Sequence, residues 1–450
     1  MKRHTSLASI GALAVVAVVT GACGSSKSGT ATNAPTTAAA STATTAAATA
    51  TTTAAAAAAA TTAAAATSAT TGAANASRAG ETIKIGYANN EGGVFSLPEF
   101  RIGGEVAVDY INKNGGVNGA KIELVGCLAD ASPEGSINCA NKFVEQKVAI
   151  AYTGIDVASD AQLPILSKAG IPFVSSNSWG TAQRSDPNSF ILHAAASAFT
   201  LAPLKTFKDL NLKKVAVLLE DTPSGQDFIK TVVKPIGEGK LGMQITAITV
   251  DPANPDWNAA VTTAMASTPD AIWGQLTEPG CIGLVTATSA LGYKGPVFAG
   301  SCSVYMQVLG AKSVGTYTSG DVYLPEAKAT APANIQKNLD LYVANMKAAG
   351  QEKYTTGFAL APYSAFFELT SILDTIKGPI TPDSVKAAFA ASTDSPGHLG
   401  PDLHCASHPW TTEKSHCRAD ILVWKVVAGP NGPVREPAYK DPQNYLSLVS

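Results

Sequence analysis

The sequence predicts an α/β protein built from two doubly wound parallel-sheet lobes, which a hinge of several crossovers joins. From residue 82 onward, short apolar runs alternate with segments whose apolar residues recur at helical spacing. These runs are numerous enough for two sheets. A β-α-β unit spans residues 148–179, where the runs Val148–Tyr152 and Ile171–Val174 flank a helical segment that ends at Gly170. Such a unit places two parallel strands in one sheet through a right-handed crossover.

The first lobe is predicted from the elements on either side of that unit. In chain order these are a strand at Ile83–Tyr87, a helix over Ile102–Ile111, a strand at Lys121–Val125, a helix over Ile137–Lys147, the β-α-β unit and a strand at Phe190–His193. The turns around Asp156 and Asn177 follow two parallel strands, so they lie at one carboxyl edge of the sheet. Open α/β sheets bind ligands at that edge.

The second lobe repeats the pattern. In chain order its elements are a helix near Leu201–Leu210, a strand at Lys214–Leu219, a helix near Asp227–Ile236, a strand at Met243–Val250, a helix at Trp257–Met265, a strand at Asp270–Trp273, a helix at Ile282–Leu291, and strands at Pro296–Ala299, Ser319–Leu324 and Ile421–Val427. The helices within 332–391 return to the first lobe. We therefore predict an N-terminal lobe of residues 82–196 with 325–395 and a C-terminal lobe of 197–324 with 396–445. The cleft between such lobes is the usual place for a small-molecule site.

The charge balance excludes a nucleic-acid-binding surface. The chain of 450 residues has 32 Lys and Arg against 34 Asp and Glu, which gives no basic field. Its hydrophobic content of 46% supports large cores. Small molecules and other proteins are the expected partners.

The N-terminus predicts export from the cytoplasm. Residues 1–22 have a basic start and a short apolar core over Leu7–Val19, as in a signal peptide. Small residues then precede Cys23, as in a bacterial lipobox, so cleavage would leave Cys23 as a lipidated N-terminus. Thr20 stands where leucine is usual, and ordinary secretion with cleavage nearby is the alternative. Residues 23–79 are mostly Ala, Thr, Ser and Gly, and we predict a disordered tether.

The remaining six cysteines fit an oxidising compartment. Six cysteines allow fifteen pairings, but local context favours pairs of sequence neighbours. The predicted disulfides are Cys127 with Cys139, Cys281 with Cys302, and Cys405 with Cys417.

Catalytic and cofactor motifs are missing from the sequence. A literal GEGKLG occurs at residues 237–242, but it follows a helix and precedes a strand, the reverse of a dinucleotide loop. Four histidines and two cysteines crowd into residues 398–417, where a metal site is the alternative to a disulfide-stapled loop. We favour the loop, because neighbouring residues of an extended chain point in opposite directions and chelate poorly. We predict no enzyme, no cofactor and no metal.

Polar turns after the strands of both lobes carry the predicted ligand site. Acidic side chains there could hold a cationic group, and aromatic ones offer apolar faces. Glu220 and Asp221 have the alternative role of capping the next helix. The predicted ligand-contacting residues are Phe95, Ser96, Asp156, Asn177, Ser178, Trp179, Asp221, Ser224, Thr277 and Glu278. We further expect Trp179 fluorescence to respond to ligand, and Asp156→Ala to change affinity far more than stability.

Several segments resemble type I periplasmic binding proteins, most nearly the branched-chain amino acid-binding branch of ATP-driven importers. They are IKIGYANNEGG, EVAVDYINKNGGVNGAKIELV, CANKFVEQKVAIAYTG and AGIPFVSSNS, and the likeness runs over residues 82–395. The resemblance implies two lobes that close around a solute. It also implies that the turns at Asp156 and Asn177–Trp179 hold an amino acid's carboxylate through hydroxyl and backbone N–H groups.

In the second lobe, the resemblance places an aromatic residue at Ser224 and ammonium-holding residues near Thr277 and Cys302. The chain departs from that pattern. Asp156 replaces an expected serine and would repel a carboxylate, while Cys302 replaces an expected acid. Glu278 is then the candidate to hold an ammonium group.

The predicted function is an extracytoplasmic, lipid-anchored solute-binding protein of an ABC importer, specific for an amino acid or a related polar or amphipathic compound. The expected partners are the solute, permease subunits and the membrane to which the lipidated N-terminus attaches, with the protein itself monomeric and outside the cell membrane. A sensor subunit for a signalling receptor is the alternative, and a hydrolase is less favoured because the sequence lacks catalytic parts.

Overall fold

Two parallel β-sheets with helices on both faces form the body of the protein in a computed structural model. The structure describes residues 77–91, 96–178 and 180–448. Within these ranges, no helix is both long and apolar enough to cross a membrane. The predicted signal peptide, the lipidation site at Cys23 and the tether up to residue 76 lie outside the described residues.

The first sheet has six parallel strands. They are Thr82–Asn90 (β1), Lys121–Ala129 (β2), Ile150–Thr153 (β3), Phe173–Ser175 (β4), Ser189–Ala194 (β5) and His416–Arg418 (β11). Their order is β11-β5-β4-β3-β1-β2. The order reverses direction at β1, which places β3 and β4 side by side with their carboxyl ends at one edge.

Helices cover both faces of this sheet. They are Pro98–Lys113 (α1), Pro133–Glu145 (α2), Leu163–Lys168 (α3), Ala333–Ala348 (α9), Leu360–Asp374 (α10) and Pro382–Ala391 (α11). Helices α1 and α10 pack closely, because Gly103 has no side chain: a Cβ there would lie 2.1 Å from the Ala359 carbonyl oxygen. Apolar side chains fill the core on this face, and Phe143 and Phe173 anchor the core on the other.

The second sheet is parallel with an antiparallel edge. Its main strands are Lys214–Glu220 (β6), Gln244–Val250 (β7), Ala271–Gln275 (β8), Val297–Phe298 (β9), Tyr317–Gly320 (β10), Asp420–Gly429 (β12) and Gly432–Pro437 (β13), in the order β13-β12-β10-β9-β8-β6-β7. The short strand Gln443–Asn444 (β14) pairs with β12. Strand β12 runs antiparallel to β10 and forms a hairpin with β13. The predicted fold class is confirmed, and the hairpin is an addition to it.

The second sheet is also covered on both faces. Its helices are Ala196–Asp209 (α4), Pro223–Phe228 (α5), Trp257–Ala266 (α6), Glu278–Ala290 (α7) and Tyr305–Leu309 (α8). Side-chain caps set where several helices begin: Ser132 before α2, Thr222 before α5, Asp256 before α6 and Thr381 before α11 each accept a hydrogen bond from a first-turn N–H. Neither Glu220 nor Asp221 therefore caps α5, and that alternative was wrong.

Two predicted helices differ from the structure at their proline residues. Residues 158–166 form a 3-10 turn, Ser159–Ala161, followed by α3, which starts at Leu163. Pro164 lacks an N–H and fits only in the first turn of a helix, so α3 begins next to it. After α5, residues 229–240 continue as π-helical turns around Pro235. The GEGKLG segment starts in the last of these turns.

The described chain passes between the two sheets at three places. These are residues 194–196 between β5 and α4, residues 320–325 after β10, and residues 418–420 between β11 and β12. Strand β11 pairs with β5 of the first sheet, whereas the sequence placed all of 396–445 in the C-terminal lobe. The assignment of β11 is thus a correction, and the other lobe boundaries stay a prediction.

Three pairs of cysteines are bonded in the structure. Cys127 on β2 joins Cys139 on α2, and Cys281 on α7 joins Cys302 after β9. Cys405, in a 3-10 turn after α11, joins Cys417 on β11. The last bond ties the short strand of the first sheet to the segment that precedes it.

Candidate functional site

Two asparagines at the end of β1 hold the turn that follows β3. The Oδ1 atom of Asn89 accepts a hydrogen bond from the Ile155 N–H at 3.2 Å. The Oδ1 atom of Asn90 accepts one from the Val157 N–H at 3.0 Å. Both asparagines are buried, so this turn is fixed from beneath by amide groups that water does not reach.

Asp156 lies in that turn, and its carboxylate is occupied within the protein. It accepts hydrogen bonds from Ser136 Oγ at 2.6 Å, Gln162 Nε2 at 2.7 Å and the Ala158 N–H at 3.0 Å. The side chain is 1% exposed. The structure thus gives this carboxylate an internal role in place of the predicted contact with a cationic group, because buried carboxylates are stable only when their oxygens are paired.

The turn after β3 is locked to the segment after β4. The Asp160 carboxylate accepts from the Ala182 N–H at 3.0 Å and the Gln183 N–H at 2.9 Å. The buried Gln183 side chain donates to Ser175 Oγ at 2.8 Å and accepts from Ser159 Oγ at 2.9 Å. These contacts make one rigid edge from two turns.

This edge offers hydrogen-bond donors that the described chain does not use. The backbone N–H groups of Asp156, Asn177 and Ser178 donate to no other described residue. Thr153 Oγ1 is buried at the end of β3 and has no hydrogen-bond partner among the described residues. Backbone N–H groups without an internal acceptor at the end of parallel strands can bind anions such as a carboxylate.

Ser178 also contacts strand β11, just before the third crossover. Its Oγ lies 3.1 Å from Nε2 of His416 on β11, and the His416 Nδ1 lies 2.9 Å from the His193 carbonyl oxygen. His416 is 2% exposed, and burial lowers its pKa below the ordinary value. The second predicted turn is therefore connected to the segment by which the chain leaves the first sheet.

A buried acid joins two of the three crossovers. Asp321 accepts from the Ala194 N–H at 2.6 Å and lies 2.8 Å from His193 Nδ1. Burial alone would raise the pKa of Asp321, but the electrostatic interaction and hydrogen bond with His193, the Arg418 guanidinium and the Ala194 N–H together lower it to about 2. Asp321 is therefore ionised, and it holds the end of β5 beside the end of β10.

In the second lobe, Glu278 serves the loop after β9. Its carboxylate accepts from the Val304 N–H at 3.0 Å and the Tyr305 N–H at 3.2 Å, and from Ser303 Oγ at 3.1 Å. It thus caps α8, and the structure gives it a partner other than the predicted ammonium group. Cys302 in the same loop is bonded to Cys281.

The other predicted residues of the second lobe lie on its rim. Thr277 is exposed and donates to Glu220 Oε1 at 2.7 Å, and Asp221 is exposed and accepts from Gln226 Nε2 at 2.8 Å. Ser224 lies in α5, and its side chain lies outside what the structure describes. In the first lobe, Ser96 is exposed, while Phe95 and Trp179 lie outside the described residues. The contact of these residues with a solute stays a prediction.

Sequence reasoning missed two residues near the facing rims. Phe358 is half-buried and stacks on Phe100 at 5.4 Å between ring centroids, beside Leu97. Gln307 on α8 donates to Thr356 Oγ1 at 2.9 Å, and this contact joins the second lobe to the segment before α10. The sequence offered only a helical period over 332–391, which did not single out the residues between α9 and α10.

Two surface cavities lie away from these turns. One of about 530 Å³ is beside Trp257 on α6, and the other, of about 400 Å³, is lined by Tyr323 of the second crossover and Asp420 of the third. Neither is lined by a predicted ligand-contacting residue. The described residues also contain no group of three or more His, Cys, Asp or Glu side chains that could hold a metal ion.

The sequence of the chain matches a known family over most of its length. The family model described as periplasmic binding protein matches residues 82–414. The chain belongs to the periplasmic binding protein family. This membership confirms the resemblance that the sequence showed, and it makes the molecule a binding protein, not an enzyme.

Solved structures with the same fold are similar to this periplasmic binding protein at low identity. An ABC transporter substrate-binding protein from Sphaerobacter thermophilus is 16% identical, with a TM-score of 0.67 over 81% of this chain and 98% of that one. A solute-binding protein of an ABC transporter from R. palustris, in complex with 4-hydroxybenzoate, is 19% identical, with a TM-score of 0.64 over 81% and 99%.

A third similar structure is the branched-chain amino acid transporter substrate-binding protein from Streptococcus pneumoniae in complex with isoleucine. It is 20% identical, with a TM-score of 0.62 over 79% of this chain and 100% of that one. A comparison with curated proteins finds no match.

Proposed function

We propose that this periplasmic binding protein captures a small carboxylate-bearing solute, an amino acid or a related polar or amphipathic compound, between its lobes for an ABC importer. The observation that carries the proposal is the set of unused N–H donors at Asp156, Asn177 and Ser178. They follow the adjacent strands β3 and β4 at the carboxyl edge where open α/β sheets bind ligands. Isoleucine and 4-hydroxybenzoate, bound in two of the similar structures, both carry a carboxylate.

The same edge can receive an anion because its own carboxylates are occupied. The Asp156 carboxylate accepts hydrogen bonds from four internal donors, including Asn90 Nδ2 at 3.5 Å. Glu91, at the end of β1, pairs with Arg101 at 2.6 Å. The repulsion that the sequence predicted between Asp156 and a solute carboxylate is reduced by these contacts, and the Asp156 backbone N–H supplies a donor instead.

An apolar surface beside these donors suits the rest of an amphipathic solute. Phe358 and Leu97 are only partly buried and pack against Phe100. Closure of the lobes would bury such a surface and favour the closed state by the difference in solute affinity between the two states.

The binding proposal is tested by comparing acids with their amides. Thermal-shift measurements with L-isoleucine, 4-hydroxybenzoate and wider sets of amino acids and aromatic acids should find a solute that raises the melting temperature. The primary amide of that solute should bind at least about tenfold more weakly, since it lacks the charge that the N–H groups attract. Equal affinity for acid and amide would refute carboxylate recognition.

A variant of the apolar surface provides a second test. Phe358→Ala should weaken binding of the same solute by about tenfold, because it removes an aromatic face from the cleft. Phe367→Ala is the matched control, because Phe367 stacks on His398 within the first lobe. An equal effect of both variants would place Phe358 outside the site.

We also propose that Cys23 carries a lipid that attaches the protein to the outer face of the cell membrane near its permease partner. The sequence around Cys23 supports this assignment, and the three cysteine pairs suit the oxidising side of the membrane. Incorporation of labelled palmitate by the wild type but not by Cys23→Ser is the expected result. Release of an unlabelled wild-type protein into the medium would instead indicate ordinary secretion.

A further inference from the structure

The hydrogen bonds of His416 determine which of its ring nitrogens carries a proton. Nδ1 lies 2.9 Å from the His193 carbonyl oxygen, and a carbonyl oxygen can only accept. Nδ1 must therefore carry the hydrogen. In the neutral ring Nε2 then has a lone pair, and the Ser178 hydroxyl at 3.1 Å must donate to it.

The surroundings of His416 favour the neutral ring. The side chain is buried, and burial lowers its pKa. The charged and titratable groups that face it are Glu413 on its own segment, Arg184 before β5, and Asp321 at the second crossover. The two acids favour the charged ring and the arginine opposes it, and burial outweighs the acids.

We propose that His416 is a positioning residue of the solute site: its Nε2 accepts the hydrogen bond of the Ser178 hydroxyl, which leaves the Ser178 oxygen only an acceptor toward the solute. This inference rests on the proposed function for placing the turn at Ser178 in the site. The oxygen then recognises an N–H or O–H group of the solute. The backbone N–H groups of Asn177 and Ser178 remain the donors for its carboxylate.

Acid conditions reverse the polarity of this contact. A protonated His416 donates from both nitrogens, so the Ser178 oxygen accepts a hydrogen bond from Nε2. The Ser178 O–H then no longer points at His416 and can turn toward the cleft. The same hydroxyl would then donate to a solute. One buried histidine thereby sets whether the Ser178 side chain is a donor or an acceptor.

The tautomer can be measured without any solute. Long-range ¹H–¹⁵N spectra of histidine-labelled protein at neutral pH should show His416 with its proton on Nδ1. Ser178→Ala should shift the Nε2 signal of His416 and leave its Nδ1 signal nearly unchanged. A proton on Nε2 would overturn the proposal, and so would a chemical shift of Nε2 that is the same in the wild type and in Ser178→Ala.

Binding measurements then test the acceptor role. The probes are L-isoleucine and 3-methylpentanoate, which lacks the ammonium group. Ser178→Ala and His416→Leu should weaken isoleucine binding by about tenfold and 3-methylpentanoate binding by less than about twofold. His416→Gln, which keeps an acceptor near the Nε2 position, should restore most of the loss.

His404→Gln is the matched control, because His404 contacts Thr393 and Asp394 away from the site and should leave both affinities unchanged. Equal losses for both probes in Ser178→Ala would overturn the acceptor role. If no acid of the wider panel binds the wild type, the proposed function fails, and with it the role of His416 in a solute site. A wild type that binds but has the His416 proton on Nε2 overturns the role of His416 alone.

Discussion

Arg418 donates from Nη2 to the Glu368 carboxylate at 2.8 Å, and neither side chain is exposed to solvent. Arg418 also donates from Nη1 to the Asp321 carbonyl oxygen. One guanidinium thus joins β11, helix α10 and the second crossover. A buried pair of this kind is expensive to break, because the remaining partner is a desolvated and unpaired charge.

We predict that Arg418→Met lowers the free energy of unfolding by about 3–5 kcal/mol, since it leaves Glu368 buried and unpaired. The double variant Arg418→Met/Glu368→Met should recover part of this loss. Urea denaturation measures both. Lys113→Ala is the control, because the pair of Lys113 with Asp109 is exposed and should contribute little. An Arg418→Met protein as stable as this control would show that the pair does not hold the hinge.

We predict that the buried His398 makes the folded protein less stable in mild acid. Burial lowers its pKa to about 4, and its ring stacks on Phe367 with centroids 3.9 Å apart. In the unfolded chain the pKa of this residue is about 6.5. Between about pH 6.5 and pH 4 the unfolded chain therefore binds a proton at His398 that the folded protein does not bind, and this favours unfolding. The stabilisation is present above pH 6.5, and roughly 3 kcal/mol of it is lost by pH 4.

His398→Phe should remove that loss while keeping the stack. The measurement is the free energy of unfolding at pH 7 and pH 4 for the wild type and the variant, whose difference isolates His398 from other titrating groups. His408→Asn is the control: His408 is exposed, and asparagine tolerates its left-handed backbone. Parallel pH profiles for the wild type and His398→Phe would contradict the prediction.

The fold followed from the sequence because period and spacing report on burial, and burial decides which strands share a sheet. The candidate site followed from the sequence only in part. The sequence predicted that Asp156 and Glu278 are free to contact a solute. It does not show that Ser136 and Gln162 donate hydrogen bonds to Asp156, or that the Val304 N–H donates one to Glu278. Strand β11 was placed in the wrong lobe for the same reason. Its position depends on pairing with β5 and on Arg418, contacts separated by more than 200 and by 50 residues of chain, respectively.

We predict that Glu278 contributes to the stability of the fold and does not contact the solute. Glu278→Ala removes the acceptor of the Val304 and Tyr305 N–H groups and is expected to lower the free energy of unfolding by about 2 kcal/mol. Glu278→Gln keeps one acceptor oxygen and should fall between. Asp221→Ala, on the exposed rim of the same lobe, should change stability little. Loss of solute affinity in Glu278→Ala with unchanged stability would instead restore the predicted contact with an ammonium group.

We predict that removing the hydrogen bond between Gln307 and Thr356 makes closure of the lobes less favourable. The Gln307 side chain donates to Thr356 Oγ1 at 2.9 Å across the two lobes, so it stabilises the arrangement in which the rims approach. An exposed hydrogen bond contributes about 0.5–1 kcal/mol. Thr356→Val removes the acceptor and should raise the solute Kd about two- to fivefold, because affinity falls with the fraction of binding-competent protein.

The neighbouring residue supplies the control for this prediction. Thr355 Oγ1 donates to the Glu352 carbonyl oxygen within its own turn, so Thr355→Val changes the same side chain without touching the other lobe. Small-angle scattering of the solute-free protein should give a larger radius of gyration for Thr356→Val than for Thr355→Val. Calorimetry should show the Kd change in the first variant only. Identical scattering and affinity in both variants would mean that closure does not depend on this bond and is set by the solute and the three crossovers alone.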